Sequence, residues 1–318
     1  MAEQSHIDEA HRAALPRTAV VICTHNGERF VREQLDSIDA QNLPVEEIHV
    51  FDWNSTDGTM AKVRQWAANR EPRRMIAIHE AAVAPGPALS FLQALQSVLR
   101  SSAADLILLA DQDDIWAVDK VQALVDEYRG ARAGFDMAFS DVRVLRADGS
   151  ILPTFYGPGS PYRRPGAAFD SSILLTNPVI GMTLCLRREW LLRVQAALDL
   201  HWIMHDWALA ILCWLTSARL RYLDRPLVTY RQHTANTLGA WTNRSMLNRA
   251  RGVRRHVRNV RGQLQSVRSA ARLLGVPAAR IAEVAELDGR FGQAKAAARS
   301  TLLSARYRFL VALSLLYA

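Results

Sequence analysis

Four short apolar runs, each followed by a segment whose apolar residues recur at helical spacing, organise the first 110 residues. Thr18–Thr24 is apolar and β-branched, which predicts a strand that His25-Asn26-Gly27 ends. From Glu28 to Gln41 the residues Phe30, Val31, Leu35 and Ile38 form one stripe, which predicts a helix. A strand at Glu47–Asp52 and a helix near Asp57–Asn69 follow, then a third strand at Met75–Ile78. The turn Pro85-Gly86-Pro87 precedes a helix through Leu89, Leu92, Leu95 and Leu99. The fourth run, Leu106–Ala110, is wholly apolar, so this strand is expected to be buried on both faces. Such alternation predicts a doubly wound, mostly parallel α/β sheet.

Beyond it the pattern predicts a helix at Asp119–Arg132 and a strand at Met137–Val144. Ala147–Pro165 is rich in Gly, Pro and Ser, holds Tyr156 and Tyr162, and reads as a long loop of the kind that covers binding sites. A strand at Gly181–Leu186, a helix at Arg188–Leu200 and an apolar helix at His205–Trp214 come next. Leu220–Tyr230 reads as a last strand, interrupted at Pro226.

Composition narrows the class. With 318 residues, 49% hydrophobic and 22% charged, the chain is an ordinary globular one with material for a sizeable core. Cys23, Cys185 and Cys213 are far apart in apolar surroundings, which predicts buried thiols rather than a disulfide framework or a zinc site. Residues 1–17 form a polar leader without the features of a signal peptide, and no run approaches the ~20 apolar residues that span a bilayer. A cytoplasmic protein is expected.

The net charge of +8 is unevenly placed. Residues 241–318 carry 15 Lys/Arg against 3 Asp/Glu, whereas the preceding 240 carry 24 against 28. The division is therefore a leader at 1–17, a main domain at 18–240 and a basic helical tail at 241–318. Within the tail Arg251, Arg254, Arg255, Arg258 and Arg261 share one helical face, and Val253, Val257, Val260 and Leu264 another. This basic amphipathic helix, over 244–264, suits the inner face of an anionic membrane, and equally suits packing on the body with solvated arginines. The apolar segment from Phe309 onward could dock in the same interface. No nucleic-acid-binding motif accompanies the charge.

The chemistry concentrates at the end of the fourth strand. Asp111, Asp113 and Asp114 follow it directly, where open α/β sheets bind ligands. Such a cluster either shares a divalent cation with a phosphate or forms a solvated acidic turn. Asp206 reads as a helix N-cap or as a general base, and one residue can be both. Taken alone, His233 reads as structural, and Asn54–Thr59 as a turn and helix cap. Neither G-x-G-x-x-G after the first strand nor a Walker loop occurs.

The order of these pieces says more than any one of them. Val21-Ile-Cys-Thr-His-Asn-Gly27, Gln34-Leu-Asp-Ser-Ile38, Asp52-x-x-Ser-Thr-Asp-Gly-Thr59, Ala110-Asp-Gln-Asp-Asp-Ile-Trp116, His205-Asp-Trp207 and Tyr230-Arg-Gln-His233 together resemble the family 2 glycosyltransferases, most of all their bacterial rhamnosyltransferase-type members. The resemblance spans about Ala19–Gly239. It implies a GT-A fold, a nucleotide-binding α/β sheet joined to an acceptor-binding half. It implies donor-binding roles for Thr24, His25, Asn26, Asp52, Trp53, Gly86, Asp111 and Gln112. Asp113 and His233 would attend Mg²⁺ or Mn²⁺, and Asp206 would be the catalytic base.

Two departures stand out. Trp53 and Asn54 replace the second Asp and the Gly of the usual Asp-Asp-Gly-Ser-Thr-Asp-Gly-Thr, and His25 replaces a tyrosine. Trp53 cannot accept the hydrogen bond that the usual Asp accepts from a pyrimidine, though its ring could stack on one. The resemblance implies an inverting transferase that moves a sugar, rhamnose first, from a dTDP-, UDP- or GDP-linked donor to a polysaccharide or lipid-linked glycan. The competing readings are a non-catalytic nucleotide- or glycan-binding relative altered at Trp53, and a hydrolase that uses the Asp cluster without an acceptor.

Overall fold

The structure is a computed structural model that describes residues 15–70, 75–130, 134–233, 246–287 and 289–317. Side chains are described for these except at 246–258, 261, 313, 314, 316 and 317. The first part alternates as expected: β1 (Thr18–Thr24), α1 (Val31–Asp39), β2 (Glu47–Trp53), α2 (Thr59–Ala68), β3 (Met75–Ala81), α3 (Pro87–Ser101) and β4 (Leu106–Asp111). A two-residue strand β5 (Ile115–Trp116), α4 (Lys120–Gly130), β6 (Met137–Leu145) and the short β7 (Ile151–Leu152) follow. Then come β8 (Cys185–Arg187), α5 (Arg188–Leu198), α6 (His205–Leu215) and β9 (Leu220–Arg231). The tail is helical: α7 (Met246–Leu273), α8 (Ala278–Ala285), α9 (Arg290–Arg299) and α10 (Ala305–Tyr317).

The strands form one sheet in the order β3-β2-β1-β4-β8-β6-β9-β5, with β7 paired to β6. β3, β2, β1 and β4 are mutually parallel, β8 runs antiparallel between β4 and β6, and β6 pairs parallel with β9. The chain leaves β1 towards β2 on one side and returns to β4 on the other. The loops that follow β1 and β4 therefore meet at a topological switch point, the place where such sheets hold ligands.

Period-two alternation sorts the parallel strands onto two cores. Val20, Ile22, Ile48, Val50, Leu106 and Leu108 pack with α1, α2 and α4 on one face. Val21, Phe51, Trp53, Ile107 and Leu109 pack with α3, α5 and α6 on the other. Both faces are covered, which explains the unbroken apolar run of β4.

Three expectations change. Gly181–Thr183 is a 3₁₀ turn, and only Cys185–Arg187 pairs as a strand. β9 continues through Pro226, where β6 answers with register shifts at Ser140–Val142. Bulges let a proline sit in a strand without costing a ladder hydrogen bond. The tail, third, shares the main core: Val260, Leu264, Val267, Ala270, Val284, Ala297 and Leu302 are buried in the cluster that holds α6. Of the apolar face predicted for the basic helix, Val260 and Leu264 thus face protein. The side chains of Val253, Val257 and the five arginines fall outside the described residues. Among the described residues no helix is long and apolar enough to cross a membrane. The three cysteines are free, with Cys185 and Cys213 buried and Cys23 half-buried.

Candidate active site

At the switch point the loops are held by side chain to main chain bonds. Gln112 accepts from the His25 amide (2.9 Å) and donates to the His25 carbonyl (3.0 Å). Asn26, in the left-handed region at φ 49°, donates its amide to Ser55 Oγ and accepts the Thr56 amide at Oδ1. The Asp52 carboxylate accepts from Thr24 Oγ1 (2.8 Å), Ser55 Oγ (2.5 Å) and the Ser55 amide (2.9 Å). Thr24 and Asp52 are buried, so their polar atoms fasten the loop rather than stand open. Asp57, one residue before the Gly58 N-cap, accepts the Thr59 amide at Oδ1 where α2 starts, and the N-cap has no side-chain cap of its own.

Trp53 follows its strand. As the last residue of β2 it lies on the same face as Phe51, its ring 6.5 Å from that of Phe51, and only 8% of it is exposed. Strand parity turns the indole into the core. His25 stays exposed, with Nδ1 2.6 Å from the Trp53 carbonyl oxygen. Gly86 takes φ 93° and leads into α3, with Pro87 at the first helical position.

Oxygen atoms of Asp111, Asp113 and Asp114 lie within 4.8 Å of one another. The Asp113 Oδ2 stands 2.8 Å from His233 Nε2, and the His233 ring stacks on Phe30 at 4.6 Å. Asp114 is buried, and its Oδ1 accepts the Arg231 amide, while its Oδ2 has no partner among the described residues. The Gln34 side-chain amide donates to the Asp114 carbonyl and accepts from Trp116 Nε1, and Ser37 Oγ accepts the Trp116 amide. These bonds tie Gln34 and Ser37 of α1 to the acidic segment. Burial raises Asp111 to about 8, and the charges of Asp113 and Asp206 add to the rise. Burial also lifts Asp114, with Asp111 and Asp113 adding. A hard cation would relieve this repulsion, and an oxygen-rich donor set with one imidazole suits Mg²⁺ or Mn²⁺.

One basic group of the protein acts on the cluster. Lys120, fully buried in α4, donates Nζ to the Met182 carbonyl (2.8 Å) and stands 3.6 Å from the centre of the Trp116 ring. Burial draws it down to about 7, and Asp114 and Asp111 oppose that fall.

Asp206 enters from α6. Met204 is the N-cap, so Asp206 lies in the first turn, where its Oδ1 accepts the Trp207 amide at 2.7 Å. Burial raises its carboxyl to about 6 against the hydrogen bonds of the Trp207 amide and the Asn177 side chain. His205 beside it is buried with both ring nitrogens unpartnered among the described residues, stacked on Phe91 at 4.2 Å, and burial pushes it down to about 3. A Cβ at Gly181 would come within 2.5 Å of its Nε2, so this glycine is required by close approach.

The structure thus gathers Asp111, Asp113, Asp114 and His233 at one point, and the charge of Asp206 adds to the rise of Asp111. His25, Asn26 and Gln112 form the adjoining wall. Asn177, Gly181 and Lys120 were not foreseen. A buried lysine at a helix start leaves no periodic signal, and Asn177 touches Asp206 only through the fold.

Residues 19–144 match the family model described as Glycosyl transferase family 2. Residues 19–144 are thus similar to a family 2 glycosyltransferase domain. A dTDP-rhamnosyl transferase, RfbG of Shigella flexneri, is 26% identical over 236 residues, covering 69% of this chain and 74% of that protein. Among solved structures, a Pyrobaculum calidifontis mannosyltransferase in complex with GDP-Man and Mn²⁺ matches at TM-score 0.50 and 20% identity, covering 95% of this chain and 85% of that one. GalNAc-T7 with UDP, GalNAc and Mn²⁺ matches at TM-score 0.52 and 17% identity, over 73% of this chain and 46% of that one. At these identities the likeness is one of fold, and the fold is GT-A.

Proposed function

We propose that this chain is a family 2 glycosyltransferase that moves a sugar from a nucleotide-diphosphate donor to a glycan or glycolipid hydroxyl, with inversion. The observation that carries the reading is the gathering of Asp111, Asp113 and Asp114 at the end of β4, with His233 Nε2 2.8 Å from Asp113 Oδ2. The relative in Shigella flexneri favours dTDP-rhamnose as donor, with UDP- and GDP-sugars as alternatives. The cytoplasm, where nucleotide sugars are available, fits such a donor.

Asp113 and His233, with oxygens of Asp111 and Asp114 beside them, would hold a divalent cation that neutralises the leaving diphosphate. The His25–Asn26 loop and Gln112 form the wall against which the nucleotide would rest. Asp206, raised to about 6, is ionised at neutral pH yet basic enough to take the acceptor hydroxyl proton as that oxygen attacks the anomeric carbon. A single displacement needs one base, unlike the two carboxylates of a glycosidase.

Calorimetry with dTDP-, UDP- and GDP-sugars, with and without Mn²⁺, tests the donor site. The expected result is Mn²⁺-dependent binding of one nucleotide class that Asp113→Ala abolishes. Folded wild-type protein that binds no donor would be a non-catalytic relative. Release of free sugar or phosphate without an acceptor would make it a hydrolase.

A further inference from the structure

A second cleft opens between the Gly/Pro-rich loop and the start of α10. It measures about 580 Å³, in the range of small-ligand sites, and its walls include Tyr156, Tyr162, Tyr307, Arg163, Arg164 and Arg306. Most of its lining comes from the long Gly/Pro-rich loop, and Ser304, Arg306 and Tyr307 at the start of α10 supply the rest. The two halves are stitched by main-chain bonds: Arg163 donates to the Leu302 carbonyl (2.9 Å), Ser304 donates to the Pro161 carbonyl (2.9 Å), and Tyr162 bridges Leu303. The tail therefore completes the cleft.

Its chemistry is specific. Arg164 is paired with Asp224 at 2.6 Å, whereas Arg163 and Arg306 are exposed and have no acidic partner among the described residues. Tyr162 continues an aromatic rail, stacked on Phe155 at 5.8 Å, which in turn meets Tyr156 edge-on at 5.2 Å. Guanidinium groups take phosphate and carboxylate in planar pairs, and aromatic walls suit flat apolar faces such as those of a sugar ring. The rail also leads to the base. Tyr156 Oη donates to the Pro178 carbonyl at 2.6 Å, and the preceding residue, Asn177, holds the Asp206 carboxylate.

We propose that this cleft is the acceptor subsite, and that it takes a glycan carrying an anionic group, a sugar phosphate or a uronate, with Arg163 and Arg306 on the anion and the tyrosines on the ring. The proposal rests on the transferase reading above and deepens it by naming the class of acceptor.

The test uses the full chain and ligand-observed NMR with glucose 1-phosphate, methyl glucuronide, neutral methyl glucoside and inorganic phosphate. The variants are Arg163→Gln with Arg306→Gln, both on exposed side chains, and separately Tyr162→Ala. The two anionic sugars should bind at least about tenfold better than the neutral one, weaken with salt, and lose about tenfold in the double variant. Tyr162→Ala should weaken the sugars and leave inorganic phosphate unchanged. Equal binding of the neutral glucoside, or no change in the double variant, would overturn the proposal. So would inorganic phosphate binding as well as the sugar phosphate, which would mark an anion site without a sugar. Retention on phosphatidylglycerol vesicles without affinity for the soluble sugars would assign the arginines to a lipid surface instead. Calorimetry of the nucleotide sugar on the same samples separates the two readings. Donor binding with no anionic sugar binding sinks the subsite alone, and anionic sugar binding with no donor sinks the transferase reading.

Discussion

Gln112 clasps the main chain of His25 from both sides, accepting from its amide at 2.9 Å and donating to its carbonyl at 3.0 Å. The two residues lie on the loops after β4 and β1, so this amide fixes the spacing of the crevice at the switch point. Gly27 makes room for it: a Cβ there would sit 2.1 Å from Gln112 Oε1.

Gly27→Ala should therefore expel the Gln112 side chain from its place, and Gln112→Ala should remove the clasp directly. Both should weaken donor binding by about tenfold or more, because the wall loses its fixed geometry. Gln112→Ala should cost only about 1 kcal/mol of stability, the net worth of partly exposed hydrogen bonds. Donor titration beside thermal melts checks both numbers, and unaltered donor affinity in Gln112→Ala would detach this clasp from the site.

Asp206 should give activity and stability opposite pH trends. Burial raises it from 3.8 to about 6 in the folded chain. The protonated form is the one folding favours, so its stabilising contribution is complete below about pH 4 and is lost as pH rises through about 6. Asp206→Asn should thus be more stable than wild type at about pH 7.5, by roughly 1–3 kcal/mol, and no more stable near pH 4. Catalysis needs the ionised base, so wild-type turnover should rise through about pH 6, and Asp206→Asn should lose about 10²–10⁴-fold. Denaturant unfolding at the two pH values and a pH–rate profile read both trends.

Trp53 separates packing from ligand contact. Its indole is buried with Phe51 in the main core. Trp53→Ala should cost about 3–5 kcal/mol, as large core truncations do. Trp53→Phe should recover most of that and leave the donor KM within about twofold of wild type. A large KM change in a Trp53→Phe protein of unchanged Tm would return the ring to the nucleotide pocket.

The same residue shows where sequence reading stops. The apolar run Leu106–Ala110 and the acid cluster after it were legible because burial on both faces and a charge cluster at a strand end are local facts. The gathering of Asp113 with His233, 120 residues apart, was legible only through family resemblance. Whether Trp53 faces a ligand or the core depends on strand parity beside Phe51, and the position reads as a loop until the end of β2 is known. The tail's membership of the core was hidden for a similar reason. A stripe such as Val260–Leu264 looks alike whether lipid or protein covers it.

Lys120 is a buried amine electrostatically coupled to the acid cluster, drawn down to about 7 by burial while Asp114 and Asp111 favour its charge. It faces Asp111 and Asp114, donates to the Met182 carbonyl and covers the Trp116 ring. Lys120→Met keeps the length of the side chain and removes the charge and the donor. Breaking a buried charge arrangement from one side costs several kcal/mol, so a loss of about 2–4 kcal/mol is expected. The carboxylates left behind would then depend more on an added cation. Mn²⁺ should accordingly raise the Tm of Lys120→Met by more degrees than that of wild type, and by little in Lys120→Met combined with Asp113→Ala. Equal Mn²⁺ shifts in wild type and Lys120→Met would show that the lysine balances the fold without bearing on the metal position.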